Sequence, residues 1–188
     1  MGDHVLFFYG TLMAPQVLHN VIHGSANPEP WQKAMINIQP AILRGYRRHC
    51  VRNADYPAIV PVEKFDENGT ISETTSNSRT SVLGTLVSGL TDGDIYRLDM
   101  FEGSEYAKTE VVVQKFKYPD GNYSDSSKGL PHMPDTARVD ASEEGEEVLA
   151  VTYVWILDRE LLEEAEWDFE TFKKDKIAWW ARATESEW

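Results

Sequence analysis

The sequence predicts an α+β domain with a mixed sheet or small β-barrel. Short apolar runs with the composition of strands are distributed along the chain, and few segments between them have helical spacing of apolar residues. The chain has 188 residues and no internal repeat, which is enough length to bury one proper core. We therefore expect residues 1–188 to form a single domain, with two smaller domains as the alternative.

The predicted strands are runs rich in aliphatic and aromatic residues. The first strand stops abruptly at Gly10. A later one contains Pro61, which favours an edge strand or a bulge because proline cannot donate a ladder hydrogen bond. In chain order the predicted strands are HVLFFYG, AILRGYRRHCV, AIVPVEKF, VLGTLVSGL, TEVVVQKFKY and VLAVTYVWIL.

Two predicted helices have clear end signals. Pro15 suits the first turn of the helix PQVLHNVIHG, which ends at Gly24. The helix in TDGDIYRLDMFEG has Thr91 as its N-cap with Asp94 three residues later, an arrangement that resembles a capping box. Gly103 is a natural residue to follow its C-terminus.

The remaining segments are one further helix and two polar regions. Residues 158–181 are predicted to form a long C-terminal helix. The polar segment after Lys64 is predicted to be a loop, and residues 119–147, rich in Gly, Pro, Ser and acids, a long flexible insertion. The apolar stripe of the C-terminal helix is Leu161, Leu162, Ala165, Phe169 and Phe172.

Composition excludes several classes of function. A net charge of −13 argues against nucleic-acid binding, which needs clustered Lys and Arg, and favours a small-molecule or protein partner. Cys50 is the single cysteine, so no intrachain disulfide can form and a reducing compartment is expected. With neither an export signal nor an apolar run of membrane-spanning length, we expect a cytoplasmic location without membrane contact. The sequence leaves the oligomeric state open.

Glu102 is placed where a core residue is expected. Ile95, Leu98 and Glu102 fall on one helical face, and the first two are the residues that this helix turns toward the core. Burial and the negative end of the helix dipole both raise the pKa of such a carboxyl group. A glutamate with a pKa near neutral suits a general acid/base. The alternative is a structural carboxylate that caps a backbone group or pairs with an arginine.

The YGTLM turn is a candidate anion site. A strand that ends at Gly10 and leads into a helix exposes consecutive backbone N–H groups, which can hold a carboxylate. Gly10 permits a close approach of the backbone, and Thr11 adds a hydroxyl group. Taken alone, this turn is more typical of a plain connection between a strand and a helix than of a binding site.

Together these motifs resemble the γ-glutamylcyclotransferase superfamily, in particular its AIG2-like branch. The resemblance runs from about Val5 to Val113 and resumes in LAVTYVW. It implies a small mixed β-barrel surrounded by helices, to which the AIG2-like branch commonly adds a long C-terminal helix. The segments that carry it are YGTLM, LRGYRRHCVRNADYPAIVP, VLGTLVSGLT and LDMFEGSEY.

The resemblance also implies a reaction and its residues. The α-amine of a small γ-glutamyl substrate attacks its own γ-carbonyl, giving 5-oxoproline and a free amine, with no metal or cofactor. The catalytic glutamate of the family corresponds to Glu102, and its tyrosine downstream to Tyr106. Its substrate loop corresponds to Tyr9, Gly10, Thr11 and Leu12. A non-catalytic module that binds a small molecule or a protein on the same fold is the alternative.

Other reactive residues are given structural interpretations. His19 and His23 have the i, i+4 spacing of metal ligands, but no third ligand is apparent, so we expect a pair on the helix surface. His49 and Cys50 are adjacent on a strand and point to opposite faces, which favours packing for Cys50. The aromatic C-terminal residues are expected in the core or at a dimer contact; they are Trp167, Trp179, Trp180 and Trp188.

Overall fold

A computed structural model describes residues 2–62, 64–65, 71–72, 80–115 and 145–188 of the chain. Its strands are β1 (His4–Phe8), β2 (Asn37–Arg44), β3 (Tyr46–Cys50), β4 (Pro57–Pro61), β5 (Lys64–Phe65), β6 (Ile71–Ser72), β7 (Ser81–Leu90), β8 (Tyr106–Lys115) and β9 (Glu147–Trp155). Its helices are α1 (Pro15–His23), α2 (Pro30–Lys33), α3 (Asp92–Glu102), α4 (Phe169–Asp175) and α5 (Ile177–Trp180). Within these residues no helix has both the length and the apolar character that crossing a bilayer requires.

Five strands close into a barrel in the order β1-β7-β2-β8-β9. The barrel is mixed because β1 runs parallel to β9, whereas the β1–β7, β2–β7, β2–β8 and β8–β9 pairs are antiparallel. β3 and β4 form a separate two-stranded sheet, as do β5 and β6. The predicted α+β class, with a small mixed β-barrel surrounded by helices, is confirmed.

Alternation along β1 connects the barrel to the helices around it. Phe7 and Tyr9 pack in a cluster of residues from the strands, whereas Leu6 and Phe8 pack against α1 and the C-terminal aromatic residues. This is the two-residue period expected of a strand that is buried on both faces. β1 is therefore central to the core, and the turn that follows it is firmly positioned.

Both helices with predicted end signals are present. Thr91 and Asp94 form the expected capping box, in which the Asp94 carboxylate accepts a hydrogen bond from the Thr91 amide at 2.8 Å. α1 ends at Gly24, whose φ of 69° is a left-handed conformation that glycine adopts without a steric cost. Pro61 ends β4, which pairs only with β3 among the described residues, so the expected edge position is also confirmed.

Two of the predicted strands are divided by the structure. AILRGYRRHCV becomes β2 and β3, which are separated by Gly45 at a φ of 80°. AIVPVEKF contributes to β4 and β5. The polar segment after Lys64 contains β6, a short strand paired with β5, where a loop was expected. The predicted insertion falls outside the described residues from 119 to 144, and at its other end Glu147 already belongs to β9.

The long C-terminal helix predicted for residues 158–181 is wrong. Arg159–Leu161 form a 3₁₀ turn, and only the short helices α4 and α5 follow. Backbone bonds to β3 explain the difference, because the Cys50 amide donates to the Ala165 carbonyl at 3.0 Å and the Glu163 amide to the Cys50 carbonyl at 2.9 Å. Backbone groups paired with a strand cannot continue an α-helical ladder.

Candidate active site

One cavity of about 390 Å³ is lined by the site residues that the sequence predicted. The turn after β1 lies on its wall together with the C-terminal end of α3 and the first residue of β8. This volume lies in the range typical of small-molecule sites. The predicted site residues that line the cavity are Tyr9, Gly10, Thr11, Leu12, Glu102 and Tyr106.

The turn after β1 has a geometric reason for its glycine. A Cβ atom on Gly10 would lie 2.7 Å from Cγ of Pro57 and 2.8 Å from its Cδ, closer than real side chains approach. The strand therefore ends where the backbone must pass tightly against β4. The first hydrogen bond of the turn runs from the Met13 amide to the Gly10 carbonyl at 3.0 Å, so the turn does not use the amides of Thr11 and Leu12.

A buried arginine forms a hydrogen bond with the backbone at the start of this turn. Nη1 of Arg48 donates a hydrogen bond to the Tyr9 carbonyl at 2.9 Å, and Nη2 lies 3.4 Å from a carboxylate oxygen of Glu166. The guanidinium group also lies 5.5 Å from the ring centroid of Trp167. Sequence reasoning missed Arg48, since the two arginines in RRHC carried no sign of which one is buried.

Glu102 is the last residue of α3 and lies on the cavity wall. Leu98 on the same face is fully buried and Ile95 is partly buried, so the predicted inward face is present. Burial, with a smaller contribution from the charge of Asp99, raises the pKa of Glu102 to about 8. Among the described residues no hydrogen bond or ion pair engages this carboxylate. It is therefore neither the backbone cap nor the partner of an arginine that the structural alternative requires.

Asp99, one turn earlier on α3, has a different environment. Its Oδ1 accepts a hydrogen bond from the Tyr153 hydroxyl at 2.8 Å, and its Oδ2 lies 2.7 Å from Nζ of Lys108. Both oxygens are thus engaged by the protein. Of the two carboxylates on this end of α3, only that of Glu102 is left without a partner among the described residues.

Three tyrosines surround the acidic group. Tyr9 donates its hydroxyl hydrogen to the Tyr153 carbonyl at 2.7 Å, and Tyr106 donates to the Pro57 carbonyl at 2.9 Å. Burial raises the pKa of Tyr9, Tyr106 and Tyr153 above the ordinary value, and the charge of Glu102 adds to the rise. These hydroxyl groups therefore stay neutral and hold the turn, β4 and β9 together around the cavity.

The cavity has an aromatic wall that sequence reasoning did not predict. The Phe101 ring lies 5.7 Å from the ring of Trp180 and 5.3 Å from that of Trp188, both nearly edge-to-face. Trp167 and Trp180 are buried as expected of core residues, whereas Trp179 is 46% exposed. We call the aromatic wall the set of cavity-lining rings Tyr56, Phe101, Trp180 and Trp188.

The other reactive residues lie outside the cavity. His19 is 6% exposed, so the expectation of a histidine pair on the helix surface is wrong for this residue. Its ring stacks on that of the half-buried His23, with centroids 5.5 Å apart. Cys50 packs against the core, as expected. In the described part of the chain, no three His, Cys, Asp or Glu residues are grouped so that they could hold a metal ion.

Known proteins resemble this chain over most of its length. Protein AIG2 C of Arabidopsis thaliana is 25% identical over 171 residues, which cover 91% of this chain and 73% of that protein. Protein AIG2 B of the same plant is 27% identical over 172 residues, covering 92% and 72%. A solution structure of an Arabidopsis thaliana protein has a TM-score of 0.51 and 26% identity, covering 93% of this chain and 83% of that one.

A family model identifies the chain. The family described as γ-glutamyl cyclotransferase, AIG2-like, matches residues 6–123. This span is more than half of the chain, and it includes the turn after β1, Glu102 and Tyr106. The resemblance that the motifs suggested is thereby confirmed, and the chain belongs to the AIG2-like γ-glutamyl cyclotransferase family.

Proposed function

We propose that the protein is a γ-glutamylcyclotransferase that releases 5-oxoproline and a free amine from a γ-glutamyl compound. The observation that carries this proposal is Glu102, a carboxylate without a partner among the described residues, with a pKa raised to about 8, on the wall of a ligand-sized cavity. Membership of the family supports the reaction class. Glu102 is the proposed general acid/base, and the turn after β1 is the proposed substrate cradle.

The reaction can be written with every proton accounted for. Glu102 removes a proton from the substrate α-ammonium group, and the freed nitrogen lone pair forms a bond to the γ-carbonyl carbon. Glu102 returns this proton to the leaving nitrogen as the carbon–nitrogen bond breaks. The second proton on the new lactam nitrogen then passes through Glu102 to the released amine, which leaves as an ammonium ion. Each proton moves through one carboxylate, so the proposal involves neither metal nor cofactor.

The raised pKa suits this proton transfer. An α-amino group has an ordinary pKa of about 8. A carboxylate with a pKa of about 8 therefore exchanges a proton with it at little cost. A glutamate at the ordinary value of 4.5 would face an uphill transfer of roughly 5 kcal/mol, at 1.36 kcal/mol per pKa unit. General acid–base catalysis of this kind typically contributes 10²–10⁴-fold.

The remaining residues have positioning roles in the proposal. The amides of Gly10, Thr11 and Leu12, with the Thr11 hydroxyl, bind the α-carboxylate of the glutamyl group. Tyr9 and Tyr106 line the space in which the glutamyl chain folds back on itself. Because the attack is intramolecular, restricting the substrate to this folded conformer supplies a large part of the rate.

The proposal is tested by 5-oxoproline release from γ-glutamyl amino acids, γ-glutamylamines and glutathione. We expect the native protein to act on at least one of them and Glu102→Gln to lose at least roughly a hundredfold in rate. Glu110→Gln, the same change at an exposed position on β8, is the matched control and is expected to retain activity.

The other outcomes separate the alternatives. Binding of these compounds without turnover supports the non-catalytic binding module on the same fold. Turnover that survives Glu102→Gln contradicts the role of this carboxylate and directs attention to Asp99. Neither binding nor turnover would reject the γ-glutamyl substrate class.

A further inference from the structure

We propose that the aromatic wall is the subsite for the leaving amine and that it selects an amine with an aromatic body and no carboxylate. This inference rests on the proposed function and names its substrate class more closely. Its basis is the position of the wall beside Glu102, the charges that line the cavity, and the anchoring of the C-terminal segment.

The position of the wall follows from the chemistry of Glu102. The leaving nitrogen must come within hydrogen-bond distance of this carboxylate to receive a proton. The group attached to that nitrogen must then lie against the residues next to Glu102. Phe101 is its neighbour in sequence, and the Phe101 ring contacts both Trp180 and Trp188. Tyr56 continues the wall, with its ring 6.4 Å from that of Trp180.

Edge-to-face aromatic rings suit another aromatic ring. Their arrangement presents ring edges and faces that a phenyl group can meet at the preferred geometry. When the leaving amine has only a short aliphatic chain, the aromatic wall stays exposed to water. The wall therefore distinguishes amines by the apolar area that they bury.

The charges lining the cavity argue against a carboxylate on the leaving group. Glu102 and Glu105 line the cavity, and among the described residues no Arg, Lys or His does so. The nearby cations are engaged elsewhere, since Arg48 holds the Tyr9 carbonyl and Lys108 pairs with Asp99. A carboxylate at this position would lose hydration without gaining a cationic partner. The α-carboxylate of the glutamyl group is separate, because in the proposed function the amides of the turn after β1 bind it.

The C-terminal half of the wall is anchored in place. Nδ2 of Asn20 on α1 donates to the Ala183 carbonyl at 2.8 Å, between Trp180 and Trp188 in sequence. Nζ of Lys176 lies 3.2 Å from a carboxylate oxygen of Asp55. Both tryptophans lie outside residues 6–123, the part that matches the family model. The C-terminal segment therefore supplies two of the four rings of the aromatic wall from outside the part of the chain that matches the family model.

Four compounds test separately the requirement for an aromatic body and the requirement that the leaving amine has no carboxylate. They are the γ-glutamyl derivatives of phenethylamine, phenylalanine, ethylamine and alanine, in which the phenyl group and the carboxylate are varied independently. We expect the phenethylamine compound to have the highest kcat/KM, exceeding the ethylamine compound by at least roughly tenfold. The carboxylate is expected to lower kcat/KM by about tenfold in each pair. Equal values across the four compounds, or higher values for those with a carboxylate, overturn the subsite while leaving the proposed function intact.

Variants test whether the aromatic wall causes the preference for a phenyl group on the leaving amine. In Trp188→Leu the ratio of kcat/KM between the phenethylamine and ethylamine compounds is expected to fall toward one. Trp31→Leu is the matched control, because Trp31 is 65% exposed and lies outside the cavity, and its ratio is expected to stay at the native value. Phe101→Leu provides a second test if Trp188→Leu does not fold. A native ratio in both wall variants contradicts the proposal.

Binding measurements keep the two proposals apart if no compound is turned over. Calorimetric titration of Glu102→Gln with the same four compounds reports the subsite without chemistry. Tighter binding of the phenethylamine compound supports the subsite even when the cyclotransferase reaction fails. Equal affinities, or no binding of any compound, overturn it.

Discussion

Replacement of Glu102 by glutamine is expected to stabilise the protein while lowering the proposed cyclotransferase activity by at least roughly a hundredfold. In the unfolded chain this carboxyl group has an ordinary pKa of 4.5, and in the folded protein its pKa is about 8. A raised pKa for an acid means that the folded state holds the proton more tightly than the unfolded state. The free energy of unfolding therefore falls as the pH rises from 4.5 to 8, and it levels off above pH 8.

The magnitude follows from the two pKa values. At 1.36 kcal/mol per pKa unit, the interval between 4.5 and about 8 corresponds to about 5 kcal/mol lost above pH 8 and about 3 kcal/mol at pH 7. Glutamine stays neutral at every pH, so the free energy of unfolding of the Glu102→Gln variant does not fall in this way. Any fixed cost of placing the amide in the cavity is the same at every pH. The stability gain of Glu102→Gln is therefore expected to grow by about 4 kcal/mol between pH 5 and pH 8.5.

Urea denaturation followed by tryptophan fluorescence measures this gain at pH 5, 7 and 8.5. Glu110→Gln on the exposed face of β8 is the control, and its effect is expected to stay small and independent of pH. A gain that does not grow with pH, or one that grows equally in the control, would refute the reasoning. Glu102 would then ionise as an ordinary carboxylate, and the basis for its acid/base role would be lost.

Three further results are expected. Since the proposed step needs ionised Glu102 and a protonated substrate α-amine, both with pKa values of about 8, kcat/KM for 5-oxoproline release should rise from pH 6 to a maximum near pH 8 and fall again by pH 9. Gly10→Ala places a Cβ atom 2.7 Å from Cγ of Pro57, so the turn must shift, and kcat/KM should fall by roughly tenfold or more in the same assay. Arg48→Met leaves the Tyr9 carbonyl without its buried donor and should lower the free energy of unfolding by about 1–3 kcal/mol, measured by urea denaturation.

Each of these results has a control or a contradicting outcome. A kcat/KM that does not change between pH 6 and 9 contradicts the first. Gly93→Ala is the control for the second, because its Cβ meets nothing closer than 3.7 Å, and native kinetics in both glycine variants would contradict the tight turn. Arg47→Met is the control for the third, since the Arg47 side chain is exposed and, among the described residues, donates only to the Glu164 carbonyl, at 2.9 Å. Equal losses of unfolding free energy in the two variants would show that the buried hydrogen bond of Arg48 stabilises the protein no more than the exposed one of Arg47.

The helices with local end signals could be predicted from the sequence. Thr91 with Asp94 and Pro15 with Gly24 mark the starts and ends of helices through hydrogen bonds and backbone angles within a few residues. The C-terminal segment could not be predicted in this way. Its apolar residues have helical spacing, but Asp168 caps only a short helix and the backbone before it bonds to β3. Such long-range pairing overrides a local pattern.

Arg48 and the aromatic wall show the same limit at the candidate site. A strand carrying two adjacent arginines does not indicate which of them is buried until β7 and the C-terminal segment are in place. Trp180 and Trp188 are more than 70 positions from Glu102 along the chain, yet they line the same cavity. Their aromatic side chains predicted burial. Which part of the molecule they pack against depends on the whole fold.

The sequence alone determined which residues to consider: the inward face of α3 that carries Glu102 and the turn from Tyr9 to Leu12. Both follow from the spacing of side chains along one helix and from a glycine at the end of one strand. Only the tertiary structure decided that they share a cavity, and that burial raises the pKa of Glu102 to about 8. The reason is that desolvation of a carboxylate depends on every group packed around it, and most of those groups are distant in the sequence.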